Sequence, residues 1–537
     1  MHCVRSLSRV KHTLISWELK PTQGSLTPLR WMGTFVGGND QLEKVENASL
    51  SGLSWLDAFV VNYEKKGVPK NAGVDSEEGF PMKRMHMLME HLGSPQNGLR
   101  CVHVAGTKGK GSTAAFIESI LLKSGYSVGL YTSPHIMSIC ERIRVNGENI
   151  GASELDALID SSREQIQRCQ DSIINTDDGG LSHFEVMTGL AFRHFRDANV
   201  DVAVIEAGLG GARDATNVVD ILDAAVITPV GFEHADALGG TIESIALAKS
   251  GIMKEGRTSI IGRQENREAE AVVLHQASLK KSPSFRTESI VDYHVQSQTV
   301  DGSSLTQNVL FQIPASIASD CFGNGGEDLE IDMALRMVGE HQAANAANAI
   351  CTAIGLKMNS GYDKISLDSV TRGIERTMVP GRFQIIEQSE IQGQPLVTVV
   401  DGAHTKESAR CLADTVRQIF PDSQIALVIS MASDKDHEGF CREIQKAKPS
   451  VVVFTDCLIA GDGTRSAGPG VLAGAWQVAK MTNRIPGWRC RELIQASMKS
   501  AIAKARHELS GEANLDNGHP GVILVCGSLH ATAAVMH

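Results

Sequence analysis

A lysine stands in a glycine-rich turn between an apolar run and a helical run, a combination typical of phosphate-binding sites. The segment is His-Val-Ala-Gly-Thr-Lys-Gly-Lys-Gly-Ser-Thr, residues 103–113. Glycines let backbone N–H groups converge on a phosphate, and the N-terminus of the next helix adds partial positive charge. Lys110 supplies charge for the β- and γ-phosphates, and the hydroxyl groups of Ser112 and Thr113 can reach phosphate or Mg²⁺. The segment therefore predicts that the protein uses a nucleoside triphosphate.

The spacing of this segment departs from the usual G-x-x-x-x-G-K-[ST] pattern. Val104 stands where the first glycine is expected, and Gly111 separates Lys110 from Ser112. An ordinary glycine-rich turn between a strand and a helix is the alternative interpretation. A strand predicted over 101–105 and a helix predicted over 114–123 favour the phosphate site.

A second candidate is the acid that ends the apolar run at residues 200–206. Glu206 is followed by Ala-Gly-Leu-Gly-Gly. The carboxyl ends of parallel strands face the ligand crevice, and a carboxylate there can hold a cation that bridges nucleotide phosphates. Capping of the next helix is an equally good interpretation of Glu206, and the sequence leaves both open.

Three further side chains follow strand ends or lie on a helix, and each has an ordinary structural interpretation. Ser133, in Thr-Ser-Pro-His, can add a hydroxyl ligand to the same cation, although Ser-Pro usually marks a turn. His234, in Phe-Glu-His, suits a metal or phosphate role as well as a structural one. Lys249 lies on a predicted helix over 242–253, where a lysine is normally solvated. These residues gain a functional interpretation only from their context.

The second half of the chain repeats the pattern of polar residues at strand ends. Asp401 and His404 follow an apolar run at 396–400, and Ser-Asp-Lys-Asp at 433–436 follows the next run. An acid at such a strand end commonly binds ribose hydroxyl groups. A Pro-Gly-Arg linker separates this half from the first. We therefore expect a nucleotide held between two lobes.

The elements that would position these residues alternate between apolar runs and helical runs. In the first half, runs at 128–131, 224–228 and 259–262 are rich in Val and Ile, as in strands buried on both faces. We predict an α/β fold with a P-loop-containing, doubly wound, mostly parallel sheet domain and a smaller Rossmann-like C-terminal α/β domain. The predicted ranges are 47–379 for the first domain, with a polar, partly irregular insertion around 282–332, and 380–537 for the second.

Composition narrows the class of protein. The 537 residues carry a net charge of −11, which argues against a nucleic-acid-binding surface. The cysteines show no C-x-x-C pair, and no apolar run approaches the length of a membrane span. Residues 1–46 are predicted to be a basic leader, since the first thirty-one residues hold five Arg or Lys and one acid. This leader resembles an organellar transit peptide, mitochondrial first and plastid second, with a disordered tail on a cytoplasmic protein as the alternative.

Seven motifs in order resemble the dihydrofolate synthase/folylpolyglutamate synthase family, which is related to the Mur ligases. They are Gly-Thr-Lys-Gly-Lys-Gly-Ser, Tyr-Thr-Ser-Pro-His, Glu-Ala-Gly-Leu-Gly-Gly-Ala-Arg-Asp-Ala-Thr-Asn, Phe-Glu-His, Pro-Gly-Arg-Phe-Gln, Asp-Gly-Ala-His and Val-Cys-Gly-Ser-Leu-His. The resemblance extends from about residue 53 to the C-terminus and is greatest to the plant dihydrofolate synthases.

The resemblance implies a role for particular residues. ATP would contact Gly106, Thr107, Lys108, Gly109, Lys110, Gly111, Ser112, Asn345, Arg382 and Asp401. Two Mg²⁺ sites are implied, with Ser133, Glu206 and His234 as ligands. Dihydropteroate would contact Ser182, Arg213, Asp214 and Ala215. Catalytic roles are implied for Lys110, His234, Lys249 and His404, with Lys249 carbamylated.

The implied reaction is ATP-dependent ligation of L-glutamate to 7,8-dihydropteroate through an acyl phosphate, by a monomer with no nucleic-acid or membrane partner. A folylpolyglutamate synthase, a bifunctional enzyme and an inactive ATP-binding protein are the alternatives. A P-loop kinase or a switch GTPase is disfavoured by the second domain and by the lack of an Asn-Lys-x-Asp segment. The chain departs from the family at Ala248, where Glu is usual, and at Thr405, where Asn is usual.

Overall fold

Strands and helices alternate along this chain and form two mostly parallel β-sheets with helices packed on them. The structure is a computed structural model. It describes residues 51–536 except 77–78, 175–178, 302–303, 324, 392–393, 460–464 and 512–518. The leader predicted at 1–46 lies outside the described residues.

Eight short apolar strands form the first sheet. They are β1 (Arg100–Ala105), β2 (Val128–Tyr131), β3 (Ile143–Val145), β4 (Glu148–Asn149), β5 (Val202–Glu206), β6 (Ile221–Ile227), β7 (Thr258–Ile261) and β8 (Ser284–Arg286). Their order in the sheet is β4-β3-β2-β5-β1-β6-β7-β8. Only the β2–β3 and β3–β4 pairs are antiparallel. The predicted doubly wound, mostly parallel sheet is confirmed.

Helices cover both faces of this sheet. They are α1 (Gly52–Phe59), α2 (Tyr63–Lys66), α3 (Met82–His91), α4 (Lys110–Lys123), α5 (Ala152–Ile173), α6 (His183–Asp197), α7 (Ile242–Ser250), α8 (Arg267–Leu279), α9 (Thr287–Ile290), α10 (Ala315–Phe322), α11 (Glu340–Ser360) and α12 (Leu367–Arg376). Successive side chains of β1 enter opposite cores: Cys101 packs on one side of the sheet and Val102 on the other. This two-sided burial explains why the strands have continuous apolar sequences.

The prediction of a partly irregular insertion around 282–332 is wrong for most of that range. Three antiparallel strands form a separate sheet there: β9 (Asp292–Asp301), β10 (Ser304–Ile313) and β11 (Leu329–Leu335), in the order β11-β10-β9. Along β10, buried and more exposed residues alternate. A sheet that packs on one face needs an apolar residue only at every second position, so its strands read as polar overall.

The second half forms a six-stranded sheet. Its strands are β12 (Gln384–Ile391), β13 (Gln394–Val400), β14 (Ile425–Ile429), β15 (Val451–Phe454), β16 (Arg491–Ile494) and β17 (Gly521–Cys526), in the order β12-β13-β17-β14-β15-β16. Its helices are α13 (Lys406–Ile419), α14 (His437–Ile444), α15 (Pro469–Asn483), α16 (Met498–Gly511) and α17 (Leu529–Met536). Only β12 pairs antiparallel, so the smaller Rossmann-like sheet is also confirmed.

Both halves belong to one compact unit, Ser51–His537, and the boundary at 379–380 stays a prediction. Among the described helices, none combines the length and the apolar character needed to cross a lipid bilayer.

Helices α4 and α12 approach each other too closely for any side chain at Gly373. A Cβ atom there would lie 2.6 Å from the backbone Cα of Ile120. Ala favours a helix over Gly by about 1 kcal/mol, but overpacking against backbone costs about 1–3 kcal/mol. We expect Gly373→Ala to lower the free energy of unfolding in denaturant titrations. The matched control is Gly474→Ala on α15, where the Cβ has open space, and this change is expected to stabilise by about 0.5 kcal/mol. A stabilised Gly373→Ala protein would contradict this account of the packing.

Candidate active site

One large cleft brings the predicted site residues together. It has a volume of about 2810 Å³, and residues of both domains line it. Thr113 is fully buried and lies outside this lining. Of the residues to which the family resemblance gives a role, only Gly106 and Lys249 are not part of the lining. These two contact each other, because the Lys249 Nζ donates a hydrogen bond to the Gly106 carbonyl oxygen at 2.8 Å.

The glycine-rich turn has the backbone that a phosphate loop needs. Gly109 has a φ of 82° and directly precedes α4, so the N-terminus of that helix opens on the cleft. A Cβ on Gly109 would lie 2.1 Å from the Asn345 Oδ1, so only glycine fits. The Thr107 N–H donates to the Pro229 carbonyl at 2.9 Å, and this bond ties the turn to the end of β6. The turn is thereby held open toward the cleft, as phosphate binding requires.

Glu206 lies beside this turn. A Cβ on Gly111 would be 3.3 Å from the Glu206 Oε2, and the same oxygen accepts a hydrogen bond from the Ser133 N–H at 3.1 Å. Burial raises the pKa of Glu206 against the opposing charge of Lys110. Capping of the next helical turn, the alternative left open by the sequence, is carried out by Asp214 instead.

The surroundings of Glu206 suit a magnesium ion. Mg²⁺ is usually bound by one or two carboxylates, water and phosphate oxygens rather than by a cage of protein ligands. Among the described residues, no group of three or more His, Cys, Asp or Glu is placed to hold a metal through protein ligands alone. A buried carboxylate next to the turn, with the Ser133 backbone bonded to it, fits a cation shared with a phosphate. His234 lies at the cleft with a φ of 54°, within the same lining.

Glu233 connects the two halves across the cleft, and the sequence analysis did not assign it a role. Its carboxylate lies 2.9 Å from the Lys108 Nζ and 3.7 Å from the His404 Nε2. Although burial opposes ionisation, the nearby His404 and the charge of Lys108 hold the pKa of Glu233 well below its ordinary value. The His404 ring is oriented by a bond between its Nδ1 and the Gly402 carbonyl at 2.8 Å. Its position in the Phe-Glu-His motif was the available signal for Glu233.

The residues predicted to bind dihydropteroate line the cleft. Three of them form hydrogen bonds or an ion pair with other residues of the chain. Ser182 caps α6 and donates from its hydroxyl group to Glu185 at 2.6 Å. The Asp214 Oδ2 accepts from the Leu209 N–H at 2.7 Å, which shapes the loop after Glu206. Arg213 pairs with Asp75 at 2.9 Å. Ala215 follows as the first residue of the turn that Asp214 caps.

The linker and second domain contribute Arg382 and Asp401 to the cleft. Both Asp401 oxygens accept backbone hydrogen bonds at 2.8 Å, from Phe383 and Ala403. In this structure Asp401 therefore holds the linker against the end of β13.

The two departures from the family pattern have local explanations. Thr405 caps α13 through a reciprocal pair with Ser408, a role that Asn can also fill at a helix N-terminus. Ala248 packs against the glycine loop: its carbonyl accepts from the Ala212 N–H at 2.8 Å, and a Cβ on Gly210 would lie 3.7 Å from the Ala248 Cβ. Neither departure removes a residue that lines the cleft.

Arg142 was also missed from the sequence. It lines the cleft although it is only 1% exposed, and it bonds the Glu64 carboxylate at 2.6 Å and the His135 Nδ1 at 2.9 Å. Glu64 is 78 residues away in sequence, and no local pattern indicates this pair.

The buried Lys249 makes a pH-dependent contribution to stability. Burial, together with the charge of Lys110, lowers the pKa of Lys249 to about 7. An exposed lysine in the unfolded chain titrates near 10.4. Between these two values the unfolded state holds a proton that the folded state has lost. Folding is therefore favoured as pH rises above 7, and this gain is lost again as pH falls to 7.

We expect the stability of wild type relative to Lys249→Met to increase from pH 7 to pH 9. The slope should approach at most about 1.4 kcal/mol per pH unit, because one proton is at stake. Urea unfolding at a series of pH values in carbon-dioxide-free buffer measures it. Lys123→Met, at an exposed lysine on α4, is the control and should show a pH-independent difference. A pH-independent difference for Lys249→Met as well would show that Lys249 keeps an ordinary pKa.

Models of known protein families match both halves of the chain that line this cleft. The Mur ligase middle domain matches residues 171–353, and the Mur ligase glutamate ligase domain matches residues 381–529. The dihydrofolate synthase/folylpolyglutamate synthase of Bacillus subtilis is 36% identical over 365 residues, which is 67% of this chain and 78% of that protein.

Solved structures show the same architecture. Mycobacterium tuberculosis folylpolyglutamate synthase, complexed with ADP and AMPPCP, has a TM-score of 0.69 at 27% identity and matches 85% of this chain and 94% of its own. Escherichia coli FolC in complex with DHPP and ADP has a TM-score of 0.66 at 26% identity and matches 91% of this chain and 97% of its own. With the phosphate-loop geometry and the two sheets, these likenesses show that the chain belongs to the dihydrofolate synthase/folylpolyglutamate synthase family of the Mur ligase superfamily and is an ATP-dependent amino-acid ligase.

Proposed function

We propose that this enzyme joins L-glutamate to 7,8-dihydropteroate and so produces dihydrofolate. The observation that carries the proposal is the placement of the phosphate turn, Glu206 and the loop at 213–215 around one cleft. A relative solved in complex with both DHPP and ADP supports a cleft that takes a nucleotide together with a second small molecule.

The chemistry requires activation of a carboxylate. A carboxylate at neutral pH repels an attacking electron pair and has a poor leaving group. When a carboxylate oxygen attacks the γ-phosphorus of ATP, the bond to ADP breaks and an acyl phosphate forms. The free amine of glutamate then attacks the acyl carbon, phosphate leaves, and the amine loses a proton to give the amide.

The residues of the turn would serve phosphoryl transfer by position and charge. Such transfer depends on alignment and on neutralising charge over the phosphate oxygens. Lys110 and the N-terminus of α4 would face those oxygens, and Asn345, Arg382 and Asp401 would hold the rest of the nucleotide. His404 and Glu233 would keep the second domain closed over the cleft, which excludes water from the acyl phosphate.

Glu206, Ser133 and His234 are the residues we propose as Mg²⁺ ligands, with two Mg²⁺ sites in all. The metal would supply positive charge where negative charge develops on the phosphates. Lys249 is proposed to be carbamylated. Since its pKa is lowered to about 7, a large fraction of the amine is neutral near neutral pH, and a neutral amine is the form that adds to carbon dioxide.

The identity of the substrate that receives glutamate is the most specific part of the proposal. The sequence Asp-Ala-Thr-Asn at 214–217 resembles family members that use dihydropteroate. Folylpolyglutamate synthase activity is the second candidate, because the Lacticaseibacillus casei folylpolyglutamate synthase is 31% identical over 410 residues. A bifunctional enzyme would combine both. The monomeric state and the mitochondrial destination of the leader, with plastid and cytoplasm as alternatives, also stay predictions.

Purified enzyme supplied with ATP, L-glutamate and either dihydropteroate or tetrahydrofolate tests this function. We expect glutamate-dependent ADP release and amide formation with dihydropteroate. Lys110→Ala should lose turnover by about 10³-fold or more, because the phosphate charge is then uncompensated, while Lys123→Ala at the other end of α4 should keep it.

Turnover with tetrahydrofolate alone would overturn the choice of acceptor, and turnover with both would establish the bifunctional alternative. ADP release without amide formation in either assay would contradict the ligase mechanism.

A further inference from the structure

A buried glutamine in the inserted sheet lies where the cores of the two domains meet. Along β10, the buried positions alternate with more exposed ones, and all are apolar except Gln307, which is fully buried. A polar amide in such a position is costly unless every hydrogen-bonding group finds a partner. Gln307 finds its partners in the backbone just before α11.

The side-chain amide of Gln307 forms hydrogen bonds with both the N–H and the carbonyl group of residue 339. Its Oε1 accepts from the Gly339 N–H at 2.9 Å, and its Nε2 donates to the Gly339 carbonyl at 3.1 Å and to the Met337 carbonyl at 3.2 Å. Gly339 is the residue that precedes α11, and no side chain of the neighbouring sequence caps that helix. The Gly339 carbonyl also accepts the first helical hydrogen bond, from the Gln342 N–H at 2.9 Å. Gln307 therefore fixes the backbone of the N-cap residue Gly339 from a distant strand.

The second turn of α11 contacts the phosphate turn through Asn345. Asn345, in the second turn of α11, bonds Gln342 through its Nδ2 at 3.0 Å. Its Oδ1 occupies the space beside Gly109, 2.1 Å from the position of a Cβ on that glycine. A small rotation of the first turn of α11 would thus move Asn345 into or away from the turn.

The segment around Gly339 also contacts the second domain. Leu305 on β10 and Val338 pack in the core that contains Phe383 and Ile385 of the second half. A Cβ on Gly339 would lie 2.7 Å from the Thr415 Oγ1 on α13. The segment bonded by Gln307 is therefore in contact with both lobes.

We infer that Gln307 is a positioning residue for ATP: its amide sets the start of α11, and through Asn345 it sets the geometry of the phosphate turn relative to the second domain. The inference adds a role for the inserted sheet to the proposed function, and it depends on nucleotide binding at that turn.

Gln307→Met tests this role, because methionine matches the size of glutamine but cannot make the three hydrogen bonds. Calorimetry with ADP on the full chain, without acceptor or glutamate, gives nucleotide affinity. We expect the Kd for ADP and the KM for ATP to rise about tenfold, while the KM for the acceptor changes less than about twofold. An unchanged Kd for ADP in a folded Gln307→Met protein would overturn the inference.

Two controls separate positioning from simple destabilisation. Val309→Ala removes buried volume two residues along the same face of β10, and it should lower Tm while leaving the Kd for ADP unchanged. Gln312→Met removes an exposed amide whose Nε2 donates to the Glu330 Oε1 at 2.7 Å, and it should change neither quantity. A Val309→Ala protein that loses ADP affinity as much as Gln307→Met would also overturn the inference, since affinity would then follow stability.

Gln307→Asn provides a second variant if Gln307→Met does not fold. It keeps the amide but is one methylene too short to reach both sides of Gly339, so ADP affinity should again fall, whereas wild-type affinity would contradict the role. If wild type binds ADP but ligates neither acceptor, the proposed function fails, while the ADP affinities of these variants still decide the role of Gln307.

Discussion

Repulsion between negative charges is the constraint on which this structure depends. In the proposed reaction a triphosphate must lie next to the carboxylate that it activates, and the chain adds its own buried acid, Glu206, beside the phosphate turn. Burial raises the pKa of Glu206, which means that its ionised form is costly without a cation nearby. The turn meets this constraint with backbone N–H groups, a helix N-terminus and Lys110, and the proposed Mg²⁺ would add further positive charge at Glu206. Glu206 approaches the turn most closely at Gly111, where a Cβ would lie 3.3 Å from the Glu206 Oε2.

The arrangement works only when the two domains meet. Lys108 and His404 both interact with Glu233, so one carboxylate joins the phosphate turn to the second domain. Asp401 holds the linker through backbone bonds, and Gln307 bonds the start of α11 from the inserted sheet. In the proposed function, the same residues would shape the nucleotide site and hold the second domain over it, so the loss of one contact should affect nucleotide binding.

Much of the fold could be predicted because strands buried on both faces have continuous apolar sequences. The run at 128–131 coincides with β2, and the acid predicted to end the strand at 206 does end β5. The inserted sheet could not be recognised from apolar content, since β9 has exposed polar residues at most positions and packs on one face. Its role at the domain junction, through Gln307, depends on contacts 30 residues apart in sequence.

The candidate site was predicted in its parts but not in its connections. Motifs gave the phosphate turn, Glu206 and His404, since each follows a strand end where ligands bind in such sheets. They did not separate a metal ligand from a helix cap at Glu206, because that distinction depends on Asp214 taking the capping role. Glu233 was overlooked because its partners, Lys108 and His404, come from distant segments. Arg142 was missed because a buried arginine is recognisable only by its partner, Glu64.

The most direct test of the central claim is a crystal structure of the full chain with a non-hydrolysable ATP analogue and Mn²⁺ in place of Mg²⁺. The account predicts an anomalous-scattering peak within about 2.2 Å of a Glu206 carboxylate oxygen, with the β- and γ-phosphates against the turn at residues 106–112. A nucleotide bound elsewhere, or phosphates in the turn with no metal at Glu206, would contradict it.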